Sequence, residues 1–167
     1  MKSSRPDRTY STSFTVRILR AIGLLGALAI TVWLVIAYLS MPQTVATHFG
    51  PGGQADDYGS KLSVLVLAGI MLVVSLAITG LSARPALLNY PTVITEKNAQ
   101  AVYREGERLL VLTLLSMQVV YLYLARSVIG GEGSALLALG FVLVLGCVLI
   151  GNVRLVRAAR TDDDVAV

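Results

Sequence analysis

Residues 62–83 read LSVLVLAGIMLVVSLAITGLSA, an unbroken run without Asp, Glu, Lys, Arg or His. Bilayer hydrocarbon is about 30 Å thick, so a helix needs roughly 20 apolar residues to cross it. There is no water there to bond the backbone, and a helix pairs its own N–H and C=O groups within one segment. The run is therefore read as a membrane helix. Residues 21–41, 109–125 and 134–153 repeat the pattern, each free of Asp, Glu, Lys, Arg and His. Of the 167 residues, 55% are hydrophobic and 14% charged, which is too apolar for an ordinary soluble domain. The expected fold is an all-α integral membrane protein: a four-transmembrane-helix bundle with both termini inside and one structured outer loop between helices 1 and 2. Residues 1–16 and 154–167 are expected as cytoplasmic tails around a membrane domain at 17–153, the first ten or so being a loose Ser/Arg-rich tail.

The charges set the orientation. Lys2, Arg5, Arg8, Arg17 and Arg20 precede the first span; Arg84, Lys97, Arg104 and Arg108 lie between the second and third; Arg154, Arg157 and Arg160 follow the fourth. Only Lys61 and Arg126 fall on the other side. Twelve of the 14 Lys and Arg residues on one side is a positive-inside signal that puts both termini and the middle loop of a multi-pass protein on the cytoplasmic side. The net charge of +4 flanks apolar segments instead of forming a basic patch, which argues against a nucleic-acid partner. The first span is too long for a secretory h-region, and Ala37-Tyr38-Leu39-Ser40 is a poor cleavage site, so it reads as an uncleaved anchor. Cys147 stands alone in an apolar run and reads as a structural thiol. Gly23, Ala27, Gly69, Gly140 and Gly146 would let helices approach, with a homo-oligomer also open to such surfaces. Gln118, a large polar side chain deep in a span, reads as an interhelical hydrogen bond, with a polar cavity as its alternative.

The outer loop carries the polar chemistry. Pro42 ends the first helix. Thr44 to Phe49 fits an extended piece, and Gly50, Pro51, Gly52 and Gly53 fit tight turns. His48, Asp56, Asp57, Tyr58 and Lys61 are close in sequence, with His48 expected against Asp56 and Asp57 against Lys61 at i,i+4, and Ser60 an alternative helix cap. One His and two Asp match no strong metal spacing, so neither metal nor cofactor is expected.

Pro42, His48-Phe49, Gly53, Asp56, Tyr58-Gly59 and Lys61 resemble the signature of a prokaryotic membrane family, domain of unknown function 1648, which also forms the N-terminal part of SdpI-like immunity proteins. Asn89-Tyr90-Pro91, then Thr95 to Ala99, Tyr103-Arg104 and Arg108, resemble that family's cytoplasmic loop. The resemblance implies binding positions at Pro42, His48, Phe49, Gly53, Asp56, Tyr58 and Lys61, and a second motif at Asn89, Pro91, Arg104 and Arg108.

Residues 95–108 read as a helix that Thr95 caps, running into the third span, with Arg104–Glu107 and Glu105–Arg108 pairs at i,i+3. Asp162 to Asp164 make an acidic, loose end. No nucleophile–base motif supports an enzyme. The leading expectation is a binding, signalling or protective (immunity-type) component that meets a protein or peptide partner at the outer loop. A small transporter or channel component is the alternative, weakened because the spans lack ionisable residues.

Overall fold

The apolar runs become helices, and all but the second are extended by polar sequence. A computed structural model describes residues 5–50, 52–133 and 135–160; Lys2, Pro51, Ser134 and the acidic run 162–164 lie outside the described residues. Among the described residues four helices are long and apolar enough to cross a membrane. They are α1 (Phe14–Tyr38), α2 (Leu62–Ala83), α3 (Ala99–Gly130) and α4 (Ala135–Arg160).

Local chemistry sets the helix ends. Ser13 caps α1, its hydroxyl accepting from Val16 N. At the far end the N–H groups of Leu39, Ser40 and Met41 turn back onto the carbonyls of Ile36, Ala37 and Tyr38. Pro42 has no N–H to carry the ladder on, so α1 stops at Tyr38, short of the expected Met41. Before α3, Thr95 and Asn98 bond reciprocally: Asn98 N donates to Thr95 Oγ1 (3.3 Å) and Thr95 N to Asn98 Oδ1 (2.9 Å). The helix proper therefore begins at Ala99, four residues after the expected cap. It ends at Gly131, whose φ of 72° is left-handed and whose N–H bonds Ser127 O.

Helix α3 is the axis of the bundle and packs against α1, α2 and α4. Its buried stripe includes Ala99, Tyr103, Glu107, Val111, Leu114, Tyr121 and Ala125, spaced by three, four or a sum of these as one helix face requires. The Tyr121 ring is fully buried and its hydroxyl meets Thr31 Oγ1 at 3.0 Å. Gln118 Nε2 donates to Ser75 Oγ on α2 (3.1 Å) and to Leu114 O on its own helix (3.2 Å). The interhelical reading of Gln118 thus has its partner.

The connection from α1 to α2 departs from an all-α fold. Strands β1 (Thr44–Phe49) and β2 (Ala55–Ser60) form an antiparallel hairpin. Thr44 faces Ser60 and Val45 faces Gly59, with irregular register around His48. Lys61 N donates to Gln43 O (2.9 Å) at the base. Val45 drops into a cluster with Ile30, Leu34, Val64, Tyr121 and Ala125, which fixes the hairpin to three helices. At the tip Gly53 has φ +81°, and its carbonyl accepts from Gly133 N (2.7 Å) in the α3–α4 turn. The two backbones meet so closely that a side chain on Gly53 would press on Gly133 O.

The small residues divide into two groups. Ala27 is fully buried, a methyl on Gly23 would lie 2.7 Å from Leu114 Cδ2, and one on Gly140 would lie 3.0 Å from Val120 Cγ2. Gly69 and Gly146 face open space instead. Gly23→Ala is expected to destabilise the detergent-solubilised protein by about 1–3 kcal/mol, the range for overpacking. Gly69→Ala is expected to change it by less than about 0.5 kcal/mol. Paired melting curves check this, and equal shifts would contradict the packing of α1 on α3.

Candidate functional site

The bundle has two polar ends. At the hairpin end, His48 Nδ1 lies 2.5 Å from Asp56 Oδ1, and both side chains are open to solvent, at 68% and 47% exposure. An exposed pair of this kind contributes little to stability. Its placement matters more. Asp57 turns elsewhere: Oδ2 accepts from Thr47 Oγ1 (3.4 Å) and Oδ1 from Tyr58 N (2.9 Å). The expected Asp57–Lys61 pair does not form because residues 55–60 are strand, not an early turn of α2. Lys61 instead sits over the Tyr38 ring, 4.7 Å from its centroid, and ties the hairpin base to α1. Ser60 Oγ accepts from Leu62 N (3.3 Å) at the start of α2.

Of the expected outer-loop positions, His48 and Asp56 come together, while Pro42 and Gly53 shape the backbone. Phe49 lies against the α3–α4 turn, its Cβ 3.0 Å from where a side chain on Gly133 would begin. Tyr58 is exposed. Beside β1 a cleft of about 510 Å³ opens between α2, α3 and α4. Its walls are apolar, with Val64, Leu67, Leu124, Val128, Leu137 and Phe141, and Thr47 and His48 stand at its rim.

At the other end lie both ends of the described chain and the 84–98 connection. Here the centre is Glu107, 2% exposed. Its carboxylate accepts from Thr12 Oγ1 (2.7 Å), from the Tyr10 hydroxyl (3.1 Å) and from the Arg20 guanidinium, which also bonds Ser82 O (3.1 Å). Tyr10 lies between Arg8 and Arg104, whose guanidinium carbons are 4.5 and 4.8 Å from its ring centroid. Burial, reinforced by the negative charge of Glu107, holds the Tyr10 hydroxyl well above its ordinary pKa, so it stays a neutral donor.

This network corrects two expectations. Glu107 pairs with Arg20, not Arg104, because it faces inward while Arg104 faces out. Glu105 does bond Arg108 (2.6 Å), and it also bonds Arg154 Nε (3.0 Å). Residues 5–13 are not a loose tail. Arg5 donates to the carbonyls of Ala86 and Leu88, Gln100 Nε2 to Asp7 O (2.8 Å), and the Tyr103 hydroxyl to Pro6 O (3.0 Å). Asn89 and Pro91 are exposed. Tyr90 between them is the residue that docks, its hydroxyl on Pro85 O (2.9 Å) and its ring 5.8 Å from that of Tyr103. Tyr10 and Thr12 were not singled out from sequence, and Glu107 and Arg20 were not read as partners. The available signal was the position of Glu107, eight residues after Ala99 and four after Tyr103, on the buried stripe.

Residues 25–72, which cover most of α1, the hairpin and the first half of α2, match the family model described as "Domain of unknown function (DUF1648)". The outer-loop resemblance therefore holds for that domain family. A protein of Archaeoglobus fulgidus described as "Uncharacterized protein" is 28% identical over 116 residues, covering 60% of this chain and 63% of that protein. The chain thus spans a little under two thirds of that relative's length. No solved structure matches the chain.

A buried charge that loses its partner typically costs about 3–5 kcal/mol, whereas replacing both partners by apolar groups costs much less. Glu107→Leu or Arg20→Met alone is expected to destabilise strongly, and the double variant to be less harmful than the sum. Melting temperatures in detergent check this. Strict additivity would show that the two residues do not interact.

Proposed function

We propose that this chain is a multi-pass protein of the prokaryotic cytoplasmic membrane that binds an amphipathic peptide at its hairpin, on the outer side, as a signalling or protective component. One observation carries the reading: His48, paired with the exposed Asp56, stands at the rim of an open apolar cleft between three helices. The chemistry is complementary to a ligand with an apolar segment and a polar end. The apolar segment would gain roughly 25 cal/mol for each Å² taken out of water. His48, Asp56 and the Thr47 hydroxyl would meet the polar end by charge or hydrogen bond.

Two further points support it. The Lys and Arg distribution, twelve against two, favours the hairpin outside and both termini inside. The hairpin also resembles the N-terminal part of SdpI-like immunity proteins. Val45 shares a buried cluster with Tyr121 of α3, and α3 runs as one helix back to Glu107, so the hairpin and the terminal end are joined by one element. A small transporter or channel component is the second reading. It draws on the buried carbonyl oxygen of Gln118, which has no partner among the described residues. We read no catalytic role.

A photoreactive phenylalanine analogue at Phe141, on the cleft wall, tests the proposal in native membranes. The expected result is a peptide adduct that is lost in His48→Ala/Asp56→Ala. Lipid adducts alone, unchanged by the double substitution, would overturn it.

A further inference from the structure

We propose that the terminal end carries a built site for one anionic phospholipid, with its phosphate on Arg108 and Arg154 and its acyl chains in the grooves on either side of that pair. The proposal does not depend on the hairpin reading.

The two arginines come from different helices, α3 and α4, and converge on a single carboxylate, Glu105. Arg108 is 48% exposed and Arg154 is 52% exposed, while Glu105 is 15% exposed, so the carboxylate lies beneath and the guanidiniums face outward. Each guanidinium has five N–H donors, and one carboxylate cannot occupy ten. The cluster retains a net positive charge and free donors in the fork geometry that suits phosphate. Arg104, one turn away and stacked on Tyr10, adds to the positive field. Glu107 does not cancel it, because Arg20 already balances that charge.

The apolar surroundings complete the match. A groove of about 310 Å³ runs along α1 and α3, walled by Val16, Leu19, Val111 and Leu112, with Arg108 and Arg154 at its polar edge. A second, of about 130 Å³, runs between α3 and α4 past Leu109, Leu112, Cys147 and Ile150, and it shares the same two arginines. Two apolar channels leading from one cationic pair fit a two-chain lipid. A hydrophilic phosphate compound would leave both channels empty. On the first groove's polar side lies a recess of about 240 Å³ with Tyr10, Ser11, Ser13, Arg104 and the Arg20-paired Glu107, in which Ser11 and Ser13 offer hydroxyls to the rest of a headgroup. Basic pockets between membrane helices bind anionic headgroups by this combination.

Native mass spectrometry of the full chain, exchanged into micelles with equal phosphatidylglycerol and phosphatidylcholine, provides the test. The expected result is one bound phosphatidylglycerol retained over phosphatidylcholine by about fivefold, the effect of roughly one net charge at the headgroup. Arg108→Gln/Arg154→Gln should abolish the preference. Arg84→Gln/Lys97→Gln, which removes the same charge from the same end, should keep it. Leu112→Trp fills both grooves without touching charge, and should lower retention of both lipids while the protein still melts cooperatively. Equal retention of the two lipids by the unsubstituted chain, or equal loss in the two charge variants, would overturn the site.

Discussion

A backbone in hydrocarbon has to satisfy its own hydrogen bonds, and the rest of this architecture depends on that constraint. Irregular backbone is confined to the two ends of the bundle. There the chain pairs what the helices leave over: strand with strand in the hairpin, Gly53 with Gly133 at its tip, and Thr95 with Asn98 before α3. Between the ends, side chains do the joining, through apolar packing and single bonds such as Gln118 to Ser75.

The two ends solve different problems. At the terminal end a carboxylate is taken almost wholly out of water. It is tolerable because three donors from the N-terminal segment and α1 reach it at once. The segment before α1 is thereby drawn across the end of α3, and Arg5 extends the contact to the 84–98 connection. At the hairpin end the charges are left in water, where they add little to folding and stay available to another molecule. Burial thus separates a structural charge cluster from an exposed one.

How much of this could be read from the sequence varies with the distance over which each feature is encoded. Helix α2 begins and ends where its apolar run does. Strand β1 was legible in Thr44 to Phe49. Strand β2 was not, because Ala55-Asp56-Asp57-Tyr58-Gly59-Ser60 has neither alternation nor β-branched residues, and its conformation comes from pairing with β1. The His48–Asp56 contact was legible because the single histidine has few carboxylates within reach. The Glu107 site was half legible. Its spacing from Ala99 and Tyr103 puts it on the buried face, but the i,i+3 spacing to Arg104 drew the expected pairing away from Arg20. That contact spans 87 residues, and no local pattern encodes it.

The central claim is that the two polar ends lie on opposite sides of one membrane, hairpin out and termini in. Single cysteines at Gln54, on the hairpin tip, and at Lys97, before α3, both exposed, test it most directly in a Cys147→Ser background. In intact cells an impermeant thiol reagent is predicted to label position 54 at once and position 97 only after the membrane is opened. Labelling of 97 but not 54 in intact cells would contradict the orientation, and labelling of both would contradict the four-span path.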